Sequence, residues 1–231
     1  MKAVLFKQFF RTALAIIFLA GSLFYGLINV RAQATEPEFM FTWKARSYAP
    51  AEFSGKILPT DKSSITVSFE MIDRGRIVNL SKNDIYWYVN DDFFKGGAGL
   101  QEITFRASGV GRQVARITVN DYLGQTLIKS VEILSVKPEV VIPVPFPGGK
   151  LRDSRVWFEA LPYFFNTKNP DNLGFEWKIN DQSPEASGDP KVLNVTFRQI
   201  PVQGTTISIS LNVKNPRNIF EMASKNITLR F

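Results

Sequence analysis

The chain has 231 residues, 45% of them hydrophobic and 13% aromatic, with 28 Lys and Arg against 21 Asp and Glu, and no His or Cys. That composition excludes disulfides, thiolate nucleophiles, iron–sulfur and zinc–thiolate sites, acylated cysteines and His-ligated metals. Any chemistry would fall to Asp, Glu, Lys, Ser, Thr or Tyr, and each domain must be held by its apolar core alone.

The N-terminus carries Lys2, Lys7 and Arg11, followed by an uncharged apolar run from residue 12 to residue 30 and then Arg31. At about 1.5 Å per residue such a run spans about 28 Å as a helix, close to a bilayer's hydrocarbon thickness. Two fates are expected of residues 1–34. They form a cytoplasmic stub plus a transmembrane anchor, or a signal peptide cleaved after Ala34, where Ala32-Gln33-Ala34 has the small-x-small pattern. The positive charges before the run outnumber those after it, which keeps the N-terminus in the cytoplasm. The expected location is the cell membrane, single-pass, with the C-terminal domains outside the cytoplasm, or secretion if cleavage occurs. Four of the net seven positive charges flank this segment. The remainder are scattered, so no nucleic-acid partner is expected.

From Glu36 onward no helical period is found. Period-two alternation predicts strands instead. In chain order they are Phe39 to Lys44; Ser63 to Met71, with Ile65, Val67, Phe69 and Met71 on one face; a strand around Ile85, Trp87 and Val89; one around Ile103 and Phe105; one around Ala115, Ile117 and Val119; and one carrying Leu127, Val131 and Ile133 after a turn at Leu123-Gly124-Gln125. Residues 140–149 read VVIPVPFPGG, in which three alternate prolines forbid a central strand. This piece is a stiff connector or an edge strand. Arg155 to Leu161 follows, and then strands around Phe175, Trp177 and Ile179; Leu193, Val195 and Phe197; Ile207 to Val213; and Ile227 to Phe231. Short strands at this spacing predict sandwiches.

The halves repeat. Residues 85–91, IYWYVND, match residues 175–181, FEWKIND, and residues 103–106, ITFR, match residues 195–198, VTFR. Residues 117–120, ITVN, have a rough counterpart at residues 210–213, SLNV. The offsets of 90 and then 92 predict tandem homologous domains, residues 36–135 and 138–231. The Trp should fill the space between two sheets. The Asn-Asp after it should make a tight turn, because short polar side chains tolerate left-handed angles. Gly-rich loops are expected after Asp91 and Asp181.

The Trp-x-x-Asn-Asp turn, the ITF or VTF strand and the strand after it resemble the immunoglobulin-like fold of PKD-type domains, without their sharper Asp-Gly turn or Gly-x-Tyr-x-Val-x-Leu strand. The layout also resembles membrane-anchored bacterial surface proteins. The resemblance implies an all-β fold of two tandem immunoglobulin-like (PKD-like) sandwiches preceded by one transmembrane helix or signal peptide. It implies spacing or adhesion at a surface, and no catalysis.

Candidate sites are few. Asp91, Asp92, Asp181 and Asp189 could meet a cation, but neither loop has the ligand periodicity of a calcium site, so turn roles are expected and no metal or cofactor is assigned. No nucleophile elbow or phosphate loop is present, and no catalytic residue is expected. If Trp87 faces inward, Tyr86 and Tyr88 face out. Together with Phe93, Phe94, Tyr163 and Phe164 they form the candidate interaction surface. The expected function is a non-enzymatic, membrane-tethered extracytoplasmic structural or protein-interaction protein, with the membrane and other envelope or surface proteins as partners and no small-molecule ligand. The alternative is a carbohydrate- or peptide-binding surface module using loop aromatics. A sugar site would leave those rings in an open, polar-rimmed groove, whereas a stalk would bury them at the domain junction.

Overall fold

The computed structural model describes residues 36–144, 154–185, 188–197, 199 and 202–231. The apolar N-terminal run, and with it the choice between anchor and signal peptide, lies outside these residues. So do Pro145, Phe146, Pro147, Gly148 and Gly149 of the connector, Ser187 of the second loop, and Arg198 of the second repeat.

Eight strands make the first half: β1 (Glu38–Ala45), β2 (Ser64–Asp73), β3 (Arg76–Ile77), β4 (Asp84–Val89), β5 (Asp92–Ala98), β6 (Glu102–Arg106), β7 (Gly111–Tyr122) and β8 (Gln125–Ser135). One sheet has β2 at its centre, with β1 on one edge and β6 and the short β3 on the other; the second sheet runs β5-β4-β7-β8. All pairings are antiparallel. The alternating residues read from sequence meet between the sheets: Ile65, Val67, Phe69 and Met71 from one, and Ile85, Trp87, Ala115, Ile117 and Val119 from the other, all buried.

The second half repeats the plan with β9 (Glu139–Val141), β10 (Arg155–Glu159), β11 (Leu161–Tyr163), β12 (Gly174–Ile179), β13 (Val192–Thr196), β14 (Thr206–Asn215) and β15 (Asn218–Arg230). Here β10 pairs with β13, β11 with β9, and β12-β14-β15 form the facing sheet. The expected strand from Arg155 to Leu161 is interrupted at Ala160, whose N–H donates to the Lys191 carbonyl at 2.9 Å. Past that point the chain changes partner from β13 to β9, so β10 and β11 are one strand split between two neighbours. The second core gathers Val156, Phe158, Trp177, Leu193, Ile209, Leu211, Val213 and Leu229.

The repeat holds at atomic level. Trp87 Nε1 donates to the Leu100 carbonyl at 2.8 Å, and Trp177 Nε1 to the Pro190 carbonyl at 3.1 Å, each thirteen residues downstream. Asn90 and Asn180 close their turns alike. The Asn90 side chain accepts from Val114 N–H and the Asn180 side chain from Ser208 N–H, both at 2.9 Å. Both Asn-Asp pairs have positive φ at both residues (50° and 71°, then 46° and 65°), as a type I′ hairpin turn requires.

Two details of the sequence alignment change. Counted from the carbonyls that receive the indoles, Ile103 corresponds to Leu193 at an offset of 90, not to Val195 at 92. Trp87 faces Ile117 and Trp177 faces Leu211, so Ile117 corresponds to Leu211 rather than Ser210. The first change is a slide of two residues, which leaves the face unchanged and is settled only by the hydrogen bonds; the second is a slip of one, which puts the inward Leu211 in the place of Ser210. The expected Gly-rich loop after Asp91 is instead the strand β5. Gly96 permits it, because a Cβ there would lie 2.4 Å from the Tyr86 ring that crosses it.

Type I′ turns prefer Asn-Gly, since an L-residue with a side chain is strained at φ near +65°. Asp181→Gly should therefore stabilise the second half by about 0.5–1 kcal/mol, read as a rise in its urea midpoint with unchanged slope.

Candidate interaction faces

The six aromatic residues singled out from sequence separate into three environments. The first is the outer face of the β5-β4-β7-β8 sheet. Because Trp87 is fully buried, its neighbours Tyr86 and Tyr88 point away from the core. Phe93, 62% exposed, pairs with Tyr88 across the hairpin and sits 5.8 Å from its ring and 6.4 Å from that of Tyr86. Arg116, opposite Tyr88 on β7, lays its guanidinium 4.3 Å from the Tyr88 ring centroid and 3.7 Å from Asp91. The result is a continuous plate of three rings and one cation, with Thr118 and Ser130 on the same face. The exposed Arg116–Asp91 pair adds little stability, but it holds the guanidinium over the ring.

The second environment belongs to Phe94. A register shift in the β4–β5 ladder after Trp87 turns it to the other side of the sheet from Phe93, where its ring meets Phe105 edge-on at 6.2 Å. It leans on the core residue Phe105 while remaining 43% exposed, and is not part of the plate.

The third is the junction of the halves. The segment between β1 and β2, residues 46–63, reaches the turn after β11. Tyr48 N–H donates to the Phe165 carbonyl at 2.8 Å, and Phe164 N–H to the Tyr48 carbonyl at 2.6 Å. Phe53 stands edge-on to Tyr163 at 5.5 Å and to Phe164 at 5.7 Å. Phe164 is only 8% exposed and is held at φ +59°, a left-handed angle that the two flanking main-chain bonds impose. Phe164 is thus buried against the first half, while Tyr163 is joined to it and stays half-buried.

Glu221 was not singled out in the sequence. It lies on β15, 3% exposed. Its carboxylate accepts from Asn166 N–H in the turn after Phe165, and from Asn215 Nδ2 at 2.6 Å. It thereby ties two loops at the end of the second sandwich that meets the first. Burial pushes its pKa above the ordinary carboxylate value, against those two donors, and Asp61 of the first half adds like-charge repulsion. The signal for it in sequence is slight: an acid at an inward position of an alternating strand, between Phe220 and Met222.

Of the cation candidates, Asp91 and Asp181 occupy the I′ turns of different halves. Asp189 caps the Lys191 N–H at 2.9 Å and lies 3.9 Å from the Lys191 ammonium. Among the described residues no group of three or more acidic side chains is placed to hold a metal ion. Among them, too, no helix is long and apolar enough to cross a membrane.

The strand order in the first half is that of an immunoglobulin-like sandwich: A, B and E on one sheet, C′, C, F and G on the other. Among the described residues the second half has the same order without C′. No family model matches the sequence, and no curated protein matches it. Similar solved structures include the fibronectin(III)-like modules of Clostridium thermocellum CbhA, at 12% identity and TM-score 0.29, with 83% of this chain and 93% of that one covered. Three N-terminal domains of the bacteriophage RB49 highly immunogenic outer capsid protein match at 12% identity and TM-score 0.44, covering 84% of this chain and 59% of that one. The Bacteroides ovatus protein SGBP-B, solved with a mixed-linkage heptasaccharide, matches at 8% identity and TM-score 0.27, covering 81% and 46%. The chain thus spans about half to three fifths of the latter two. At these values the neighbours add nothing to what the strand order itself shows.

Proposed function

We propose that this chain is a non-enzymatic extracytoplasmic spacer, tethered by its N-terminal apolar segment, whose two sandwiches act as one stiff rod that presents a surface to other envelope or surface proteins. The observation that carries this reading is the junction. A flexible linker would let the domains swing, whereas here two main-chain hydrogen bonds and the Phe53–Tyr163–Phe164 cluster join them away from the connector. Cutting that cluster should free the hinge without unfolding either core. In spin-labelled protein with one label in each half, Phe53→Ala should broaden the inter-label distance distribution several-fold while both unfolding midpoints stay in place. An unchanged distribution would sink the rod. The tether is tested separately, by the intact mass of native protein from membrane and soluble fractions.

A second reading has its own support. The Tyr86–Tyr88–Phe93–Arg116 plate lies open on a sheet face, where aromatic rings beside polar groups suit a saccharide or peptide. Tyr88→Ala should abolish retention on a polysaccharide column under this reading and leave the rod intact under the first.

A further inference from the structure

Among the described residues the second sandwich has no counterpart of β5, the strand that closes the first. In the first half, the outward groups of Ile85 and Trp87 in β4 are paired by Gly97 and Lys95 of β5. In the second half the chain begins the same hairpin. Ile179 and Gln182 exchange N–H and C=O bonds across the Asn180-Asp181 turn, but Pro184 follows within two residues, and among the described residues no further strand pairs with β12 on this side. A proline offers no donor with which to continue a ladder.

The β12 edge is therefore open beyond Ile179. Asn180 N–H bonds to Ser208 on the β14 side, whereas Ile179 bonds to Gln182 on the other. Alternation along the strand then turns the N–H and C=O of Trp177 and Phe175 to that same outer side. Among the described residues nothing pairs with them there. Beside them lies a groove of about 350 Å³. Trp177, Pro190 and Leu193 supply its apolar wall, and Glu176, Lys178 and Glu185 line it as well.

We propose that the outer edge of β12 is a strand-addition site for an extended segment of a partner protein, carrying an apolar side chain toward Trp177 and Leu193. The chain's own first half shows what occupies this position: an antiparallel strand whose Phe94 leans on the core residue Phe105. Two alternating main-chain donor and acceptor pairs are complementary to a peptide backbone, whereas a saccharide offers no matching period. Glu176 is already paired with the Lys214 ammonium at 2.9 Å, so it is the main-chain edge and not the charge of the groove that selects the partner. A second copy pairing β12 to β12 does not fit, because Gln182 already fills the ladder position opposite Ile179. The site is separate from the junction and the aromatic plate, so its failure would leave the rod reading untouched.

The test is amide hydrogen exchange in the full-length chain, with and without a five-residue peptide of the β5 sequence from Phe94 to Ala98. Phe175 and Trp177 amides should exchange freely alone and slow at least tenfold at millimolar peptide. N-methylation of the peptide residues equivalent to Lys95 and Gly97, whose N–H groups face the edge, should abolish the effect, and N-methylation at the intervening glycine should not. In the protein, Phe175→Pro removes one outward donor and should weaken peptide binding at least tenfold, while Phe175→Ala keeps the donor and most of the affinity. Protection without peptide, protection that follows protein concentration, protection that survives N-methylation at the edge-facing positions, or no protection at any peptide concentration would each overturn the proposal.

Discussion

Trp87→Ala is expected to destabilise the first sandwich by about 3–5 kcal/mol, the range for removing a fully enclosed aromatic side chain from a close-packed core. Trp87 has no exposed surface, meets Phe69 edge-on at 5.7 Å and spends its single donor on the Leu100 carbonyl. Truncation leaves both a cavity and an unpaired carbonyl. Trp87→Phe separates the two effects. It keeps most of the apolar volume and loses the donor, so about 1–3 kcal/mol should remain as the hydrogen-bond part. Trp177→Ala should cost the second sandwich less, because the open β12 groove already bounds that side chain. Urea unfolding followed by a probe in each half reads all three. Equal losses for Trp87→Ala and Trp177→Ala would mean that the β12 edge is closed in solution.

Removing Glu221 is the second large effect, and it carries a pH signature. Glu221→Ala strands the buried Asn166 N–H and Asn215 Nδ2, at a cost of about 2–4 kcal/mol to the second half near pH 4. Because the folded-state pKa of Glu221 is raised, its contribution is fully present below the unfolded value and declines as pH rises through the folded value. The penalty of the alanine variant should therefore shrink as pH is raised from 4 toward neutrality. A penalty that grows with pH would mean that the two donors outweigh burial, and that the carboxylate is held ionised. The neighbouring Asp61 predicts a further consequence: Asp61→Asn should flatten part of this pH dependence without altering either core.

Much of this molecule is written in period two. Ile65, Val67, Phe69 and Met71, or Ile207, Ile209, Leu211 and Val213, can bury one face only as strands, so the elements and the inward residues follow from the pattern. The Trp–Asn–Asp repeat was legible for the same kind of reason. An aromatic residue between sheets and a left-handed turn after it are local requirements, and each calls for particular side chains. β5 was hidden because its glycines read as a loop. It forms a strand because the I′ turn returns the chain along β4 and the ring of Tyr86 needs the space above Gly96. The fate of the aromatic residues was hidden for another reason. Alternation told Tyr86 from Trp87, but whether Tyr163 and Phe164 meet solvent depends on residues 46–63, more than a hundred positions away.

What the sequence by itself determined is therefore the all-β character, the inward faces, the repeated Trp–Asn–Asp pattern and the absence of Cys and His chemistry, all of which rest on near-neighbour periodicity or on composition. What only the tertiary structure decided is the junction of the halves, the burial of Glu221 between two loops and the unfilled edge of β12. Each depends on which main-chain groups find a partner at long range. A strand's pattern states which way its side chains point, and says nothing of who bonds to its edge.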